Sequence, residues 1–258
     1  MYPYYLNSIA AKPEKIFRVM RYPHESGLVI QTVASHTSIP EDDTGDDSTS
    51  DAATPVLLKK HLVDVQQGLR IVLEQLPLER WADDLTCAAS MHDWGKADER
   101  FLALLLGGNI NLAWAQIAPL AKSARMPTTA AAYEIARKRA TLPKYFRHEL
   151  LSVQLAEKMD VGELTLHLIA THHGYARPFA PVVLDENPPD VSITHSDKTI
   201  TLSADERVSN PPHRLDSGVA ERFWRLTRRF GWWNLAYLET VLRLVDWQVS
   251  ASYQRSGD

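Results

Sequence analysis

Met91-His92-Asp93-Trp94-Gly95-Lys96 is the stretch around which the rest of this 258-residue chain is organised. His92 and Asp93 set a soft imidazole nitrogen and a hard carboxylate at one point of the backbone. Such a pair can hold a divalent cation from both groups, and the carboxylate keeps a second oxygen to bridge another ion. Taken alone, a His-Asp pair also fits a solvated turn, or a helix end whose Asp complements the dipole. The remainder of the sequence decides between these readings, because it supplies further ligand-type residues on apolar helix faces.

From Pro55 onward the apolar period is helical. Leu58, His61, Leu62, Val65, Leu69 and Val72 share one face, and Leu85, Ala88, Ala89 and His92 share another until Gly95 interrupts it. Phe101–Leu106 reads as a short apolar helix closed by Gly107-Gly108-Asn109, glycine serving at the C-cap. Residues 128–140 are Ala-rich and helical up to Pro143. His148, Leu151, Ser152, Leu155 and Met159 define the next helix, and Leu166, Ile169, Ala170 and His173 the one after. Two more, about Ala220–Phe230 and Leu235–Ser252, close the chain.

Residues 178–215 break this pattern. Val191-Ser192-Ile193-Thr194 and Thr199–Leu202 alternate around Ser196-Asp197, which marks an inserted β-hairpin. Residues 1–35 read as a small β-containing lead-in, with Ile16, Val19 and Leu28–Val33 as β-formers about a Pro23/Gly27 turn. Residues 36–55 are rich in Ser, Thr, Asp and Pro and read as an acidic flexible linker or loop. Residues 56–258 then form the domain that carries the site. The expected fold is mostly α: a helical bundle with small β-hairpin additions near the N-terminus and at about 190–202.

The net charge of −4 is unevenly spread. Glu41, Asp42, Asp43, Asp46, Asp47 and Asp51 lie in the linker without a Lys or Arg among them. Setting those six aside leaves 26 of the 32 acidic residues against 28 Lys and Arg. A polyanionic partner is therefore compatible with the charge without being demanded by it. The apolar share of 45% and charged share of 23% are those of an ordinary globular protein. No apolar run approaches the ~20 residues of a membrane span. Met1-Tyr2-Pro3-Tyr4-Tyr5 lacks the basic start of a secretory signal. The single Cys87 reads as inert helix packing and fits a reducing, cytoplasmic setting.

Five inward stripes each carry one polar residue of ligand type: His61, His92, His148, His173 and Asp246. The last sits with Leu235, Leu238, Leu242, Val245 and Val249. A buried imidazole or carboxylate without a partner costs several kcal/mol. A local hydrogen bond can satisfy any one of them, but five in one domain point to a common partner, and a metal centre is the natural one. His172-His173 adds to this, since Gly174 ends the helix and lets the two rings straddle a second ion. His24, His36, His195 and His213 read as exposed, and His167 as a helix-flank residue.

In their order, His61, His92-Asp93 with Lys96, His148 with Ser152, His172-His173-Gly174 and Asp246 resemble the pattern of HD-domain metal hydrolases. His-Asp-Trp-Gly-Lys with Phe101 downstream, and Thr171-His-His-Gly174, are more similar to the HD nuclease domain of the type I CRISPR helicase–nuclease. His172–Pro178 and the tail Trp232–Ser252 resemble the subtype in which the HD domain follows the helicase, with residues 1–35 a remnant of the upstream connection. The resemblance covers about residues 56–255.

It implies that His61, His92, Asp93 and Asp246 hold one ion, and Asp93, His148, His172 and His173 another. Histidine-rich ligation without thiolate suits two divalent transition-metal ions, Mn, Fe, Co or Ni, more than Mg. Two ions ~4 Å apart clamp the attacking and leaving oxygens of an in-line phosphodiester displacement, with water as nucleophile. Asp93 and Lys96 are then the catalytic residues. Lys96 stabilises the developing charge or protonates the leaving oxygen; by spacing alone it fits a solvent-exposed lysine equally well.

The implied activity is a metal-dependent nuclease that prefers single-stranded DNA and works in CRISPR interference. Its implied partners are a helicase domain or chain and the RNA-guided effector complex, with no membrane. No Gly-x-x-x-x-Gly-Lys-Ser/Thr loop occurs, so ATP hydrolysis belongs elsewhere. Two alternatives stay open: an HD phosphohydrolase of nucleotides or cyclic nucleotides, and a metal-stabilised module that docks a helicase. Arg222, Arg225, Arg228 and Arg229, interleaved with Phe223, Trp224, Phe230, Trp232 and Trp233, fit a strand grip. They fit an amphipathic helix with a solvated basic face better. The same holds for Arg137, Lys138, Arg139, Lys144 and Arg147.

Overall fold

The structure, a computed structural model, describes residues 17–21, 28–32 and 54–255. It divides into two compact units between Glu41 and Asp42. In the first, β1 (Phe17–Arg21) pairs antiparallel with β2 (Leu28–Thr32), Val19 opposite Ile30. His24, His36 and the acidic stretch, apart from residues 54 and 55, lie outside the described residues.

The second unit is helical. It opens with β3 (Val56–Leu57), which runs into α1 (Leu58–Leu73), followed by α2 (Ala82–Met91) and a 3-10 turn at Trp94–Ala97. Then come α3 (Glu99–Leu105), α4 (Ile110–Trp114), β4 (Leu120–Lys122), α5 (Ala130–Arg139), α6 (His148–Ala156) and α7 (Glu163–Thr171). The hairpin β5 (Val191–His195) and β6 (Lys198–Leu202) leads to α8 (Ala204–Ser209), α9 (Val219–Phe230) and α10 (Trp232–Arg255). No helix among the described residues is long and apolar enough to cross a membrane.

The apolar stripes explain the packing. Leu58, Leu62, Val65 and Leu69 of α1 are buried against α2 and α10, and α2 in turn packs on α7 and α7 on α6. These helices enclose the main core, which also holds Trp94, Leu168, Ile169, Leu238 and Leu242. A second apolar cluster forms where α3 meets α5, around Phe101, Leu104, Tyr133 and Leu142. Local chemistry sets several helix starts: Asp98, Asn109 and Thr129 each accept a backbone N–H at their helix N-terminus, and Ser203 with Glu206 forms a capping box.

The hairpin lies where the alternation placed it, with Val191 opposite Leu202 and His195 opposite Lys198. Ser196 and Asp197 both take positive φ, the geometry of a two-residue primed turn. The pairing of β3 with β4, Val56 opposite Lys122, was not legible. Two-residue strands have no period to read.

Two contacts fix the segments around Trp94–Ala97. At Gly95 the backbone touches α6 so closely that a Cβ would lie 2.0 Å from the His148 carbonyl oxygen. The Gly95 amide donates to Ser152 Oγ at 2.8 Å, and Ser152 Oγ donates to the His148 carbonyl at 2.9 Å. Beyond it, the buried Asp98 Oδ2 accepts from Arg100 Nη2 at 3.0 Å and from Arg207 Nη2 at 2.9 Å. Arg100 also donates twice to Asp185, at 2.9 and 2.7 Å, which ties residues 178–207 to the bundle. Burial would push the Asp98 carboxyl up, but the Arg100 hydrogen bonds and the Arg100 and Arg207 charges hold it below its ordinary value.

Gly95→Ala is expected to destabilise the fold by at least about 1–3 kcal/mol, read by urea unfolding, because backbone must move. Asp98→Asn breaks a buried ion network and is expected to cost about 3–5 kcal/mol at pH 7. A depressed carboxylate pKa contributes stability that is complete above its unfolded value and lost as pH falls through the folded one. The gap between wild type and Asp98→Asn should therefore narrow below about pH 4, and a constant gap from pH 7 to pH 3 contradicts the assignment.

Candidate metal centre

Seven of the residues singled out in the sequence meet at one point. His61 comes from α1, His92 and Asp93 from the end of α2, His148 from the first turn of α6, His172 and His173 from the end of α7, and Asp246 from α10. All seven are buried. Asp93 divides them. Its Oδ2 lies 3.2 Å from His61 Nε2 and 3.6 Å from His92 Nε2. Its Oδ1 lies 3.1 Å from His148 Nε2 and 3.7 Å from His172 Nε2. Asp246 Oδ1 closes the first side at 3.1 Å from His61 Nε2. His173 Nε2 closes the second at 3.0 Å from His148 Nε2.

The donor set fits a cation on each side. Within each of the sets Asp93–His148–His172–His173 and His61–His92–Asp93, one donor atom per residue lies within 4.8 Å of the others. Donors sharing an ion at about 2.1 Å stand roughly 3.0–3.4 Å apart in octahedral or tetrahedral arrangement. His92 Nδ1 donates to the Ala89 carbonyl at 2.9 Å and His172 Nδ1 to the Ile169 carbonyl at 2.8 Å. Those bonds fix the proton on Nδ1 and leave a lone pair on each Nε2. Both Nε2 atoms are buried without a hydrogen-bond partner among the described residues. An inward lone pair with no donor facing it is what a metal ligand presents.

The electrostatics favour an ionised Asp93 and two neutral imidazoles, while against burial Asp246 and Asp93 raise His61, and Asp93 raises His172. Burial alone would raise the Asp93 pKa. The Lys96 charge and His92, with the His148 and His172 rings close to Oδ1, instead hold it well below the carboxylate range. Burial pushes His92 down to about 4 and His148 down to about 3, so both stay neutral as ligands must be. Lys96 is itself buried, its Nζ 2.9 Å from Asp93 Oδ2. The solvent-exposed alternative for this lysine is thereby excluded.

Other sequence readings need correction. His167 is not on a helix flank: every residue of Leu164–Thr171 is buried, and His167 Nε2 lies 2.6 Å from Glu239 Oε1 of α10. A helix covered on all sides has no flank, and periodicity does not reveal one. His195 is half-buried, its ring 5.1 Å from Trp94. His213 is half-buried as well, and so is Cys87, which sequence placed in the core. Arg225 is paired with Glu163 and Glu221, and Arg222 with Glu157. That leaves a salt-bridged helix face there. The polar pairs His167–Glu239 and Asp98–Arg207 were missed because partners far apart in sequence carry no local pattern.

A helical bundle centred on a buried His-Asp pair, with imidazoles brought in from three further helices, is the design of the metal-dependent HD hydrolases. A family model described as Cas3, HD domain, matches residues 45–250, and the chain belongs to that family. It is accordingly a metal-binding HD nuclease of the CRISPR setting, with nucleic acid as its class of substrate. Comparisons with curated proteins and with solved structures give no match.

Mn added to chelator-treated protein is expected to raise the thermal midpoint. By mass action the gain is about 2.7 kcal/mol at a hundredfold excess over Kd. His92→Ala and His148→Ala should each weaken Mn binding at least about tenfold by calorimetry. A midpoint indifferent to Mn contradicts the site.

Proposed function

We propose that the domain is a two-ion nuclease that cleaves single-stranded DNA in the cytoplasm. The observation that carries this reading is the division of Asp93, each oxygen facing its own set of imidazoles. His61, His92, Asp93 and Asp246 would hold one divalent transition-metal ion, and Asp93, His148, His172 and His173 the other. Bound there, such ions activate water and neutralise charge on the phosphate.

The chain's own residues orient and protect that chemistry. Asp93 stays ionised and shared between the two sets. The Ala89 and Ile169 carbonyls hold His92 and His172 in the ligating tautomer. Lys96 Nζ lies 2.9 Å from Asp93 Oδ2, where it can stabilise the pentacoordinate phosphorus or donate to the leaving oxygen. The ligands are buried rather than on a surface, which favours a single strand: it can lower one phosphate inward, whereas a duplex resists such bending. As the nuclease part of CRISPR interference it would act beside an ATP-driven helicase and the RNA-guided effector complex, consistent with the helicase-then-HD order that its tail resembles.

The test is Mn-loaded protein incubated with single-stranded and duplex oligonucleotides and with a panel of nucleotides and cyclic nucleotides. Strand cleavage is expected, faster on the single strand. Asp93→Ala should lower it at least about a thousandfold, and Lys96→Ala by about 10²–10³ with the metal retained. Nucleotide turnover without strand cleavage, or cutting unaffected by Asp93→Ala, sinks the proposal.

A further inference from the structure

Beside the centre lies a group of residues that the ligand set does not use. Gly174 follows His173 directly and takes φ +90°. A Cβ there would stand 2.8 Å from Arg243 Nη1 and 4.0 Å from Arg177 Nη2. Two guanidinium groups therefore converge on the residue next to the ligand pair. Arg243 belongs to α10 about one turn before the ligand Asp246.

Each arginine is held in place by something else. Arg177 Nε lies 2.9 Å from Glu239 Oε2, and Glu239 is anchored by His167. Arg243 stacks on Trp247 with its guanidinium carbon 4.5 Å from the ring centroid. Trp247 is 41% exposed and the Arg177 side chain 36%, so the group runs from solvent to the edge of the ligand cluster. An exposed indole, the guanidinium stacked on it and a second guanidinium thus stand together at the residue that follows His173.

We infer that Arg243, Arg177 and Trp247 form a seat for the nucleotide flanking the scissile phosphate of a single strand. The inference rests on the nuclease reading above and names how that site takes its substrate. Guanidinium forks match phosphate oxygens in shape and charge. An exposed indole next to them offers a face to a base, and only an unpaired base can stack there. Preference for a single strand thus gains a local cause. Glu239 and Gly174 serve the seat indirectly, the first by orienting Arg177, the second by leaving Arg243 room.

The test compares wild type, Arg243→Ala, Arg243→Lys and Trp247→Ala, all Mn-loaded, on a single-stranded oligonucleotide and on bis(p-nitrophenyl) phosphate, a diester with no flanking nucleotide. For Arg243→Ala, kcat/KM on the oligonucleotide should fall about tenfold more than on the small diester. The difference should appear mainly in KM, with a binding salt dependence shallower by about one charge. Arg243→Lys should recover part of it, and Trp247→Ala should raise KM for the single strand. Equal losses on both substrates, or loss of bound Mn in step with activity, overturn the seat and make Arg243 a structural residue. If wild type cleaves neither substrate the nuclease reading falls. The seat then stands or falls by oligonucleotide affinity in fluorescence anisotropy, where an unchanged Kd in Arg243→Ala overturns it.

Discussion

The structure depends on one buried carboxylate. Asp93 is 1% exposed, and a lone charge in that position would be displaced or neutralised. It stays ionised because Lys96 and four imidazoles surround it, with His61, His148 and His172 each delivered by a separate helix. Its two oxygens face different partners, so a single side chain joins what would otherwise be two half-sites. Moving any of the surrounding helices by an ångström would leave a buried charge badly matched.

That demand explains features which are odd when taken singly. The chain bends sharply after α2 because Asp93 and Lys96 must both turn inward within four residues. The bend brings Gly95 against the His148 carbonyl, where no side chain fits, and Ser152 closes the gap with two hydrogen bonds. Just beyond, Asp98 and Arg100 recruit Asp185 and Arg207 from the excursion between α7 and α9. The excursion is thereby fastened to the segment that carries the central carboxylate. On the other side, His167 and Glu239 bind α7 to α10. Those two helices also bring His172, His173 and Asp246, so the pair holds ligand-bearing elements in register.

Membership of the Cas3 HD family fits a centre built in this way. The chemistry of such a site resides in its ions, while the protein's part is to keep donors neutral or ionised as required, to fix their tautomers and to admit the right strand. Burial performs the first task, backbone carbonyls the second. Arginines gathered at Gly174, next to His173, are suited to the third. Elsewhere the chain's arginines serve other ends: Arg222 and Arg225 on α9 are committed to Glu157 and Glu163.

How much was legible before folding differs from residue to residue. Local patterns are written in the chain itself. The periods of α1, α2, α6, α7 and α10, the hairpin around Ser196-Asp197, and the inward placement of His61, His92, His148, His173 and Asp246 all follow from spacing, because apolar side chains must share a face to leave water. Those inward polar groups implied a common partner. Sequence alone thus determined the helical class and the identity of the converging residues. Only the tertiary structure decided how Asp93 divides its oxygens, that Lys96 is buried, that His167 pairs with Glu239, and that Arg177 and Arg243 meet at Gly174. The physical reason is common to all four: each is a contact between segments tens of residues apart or a direction taken by one side chain. Neither leaves a period in the chain, and both are settled only when helices pack.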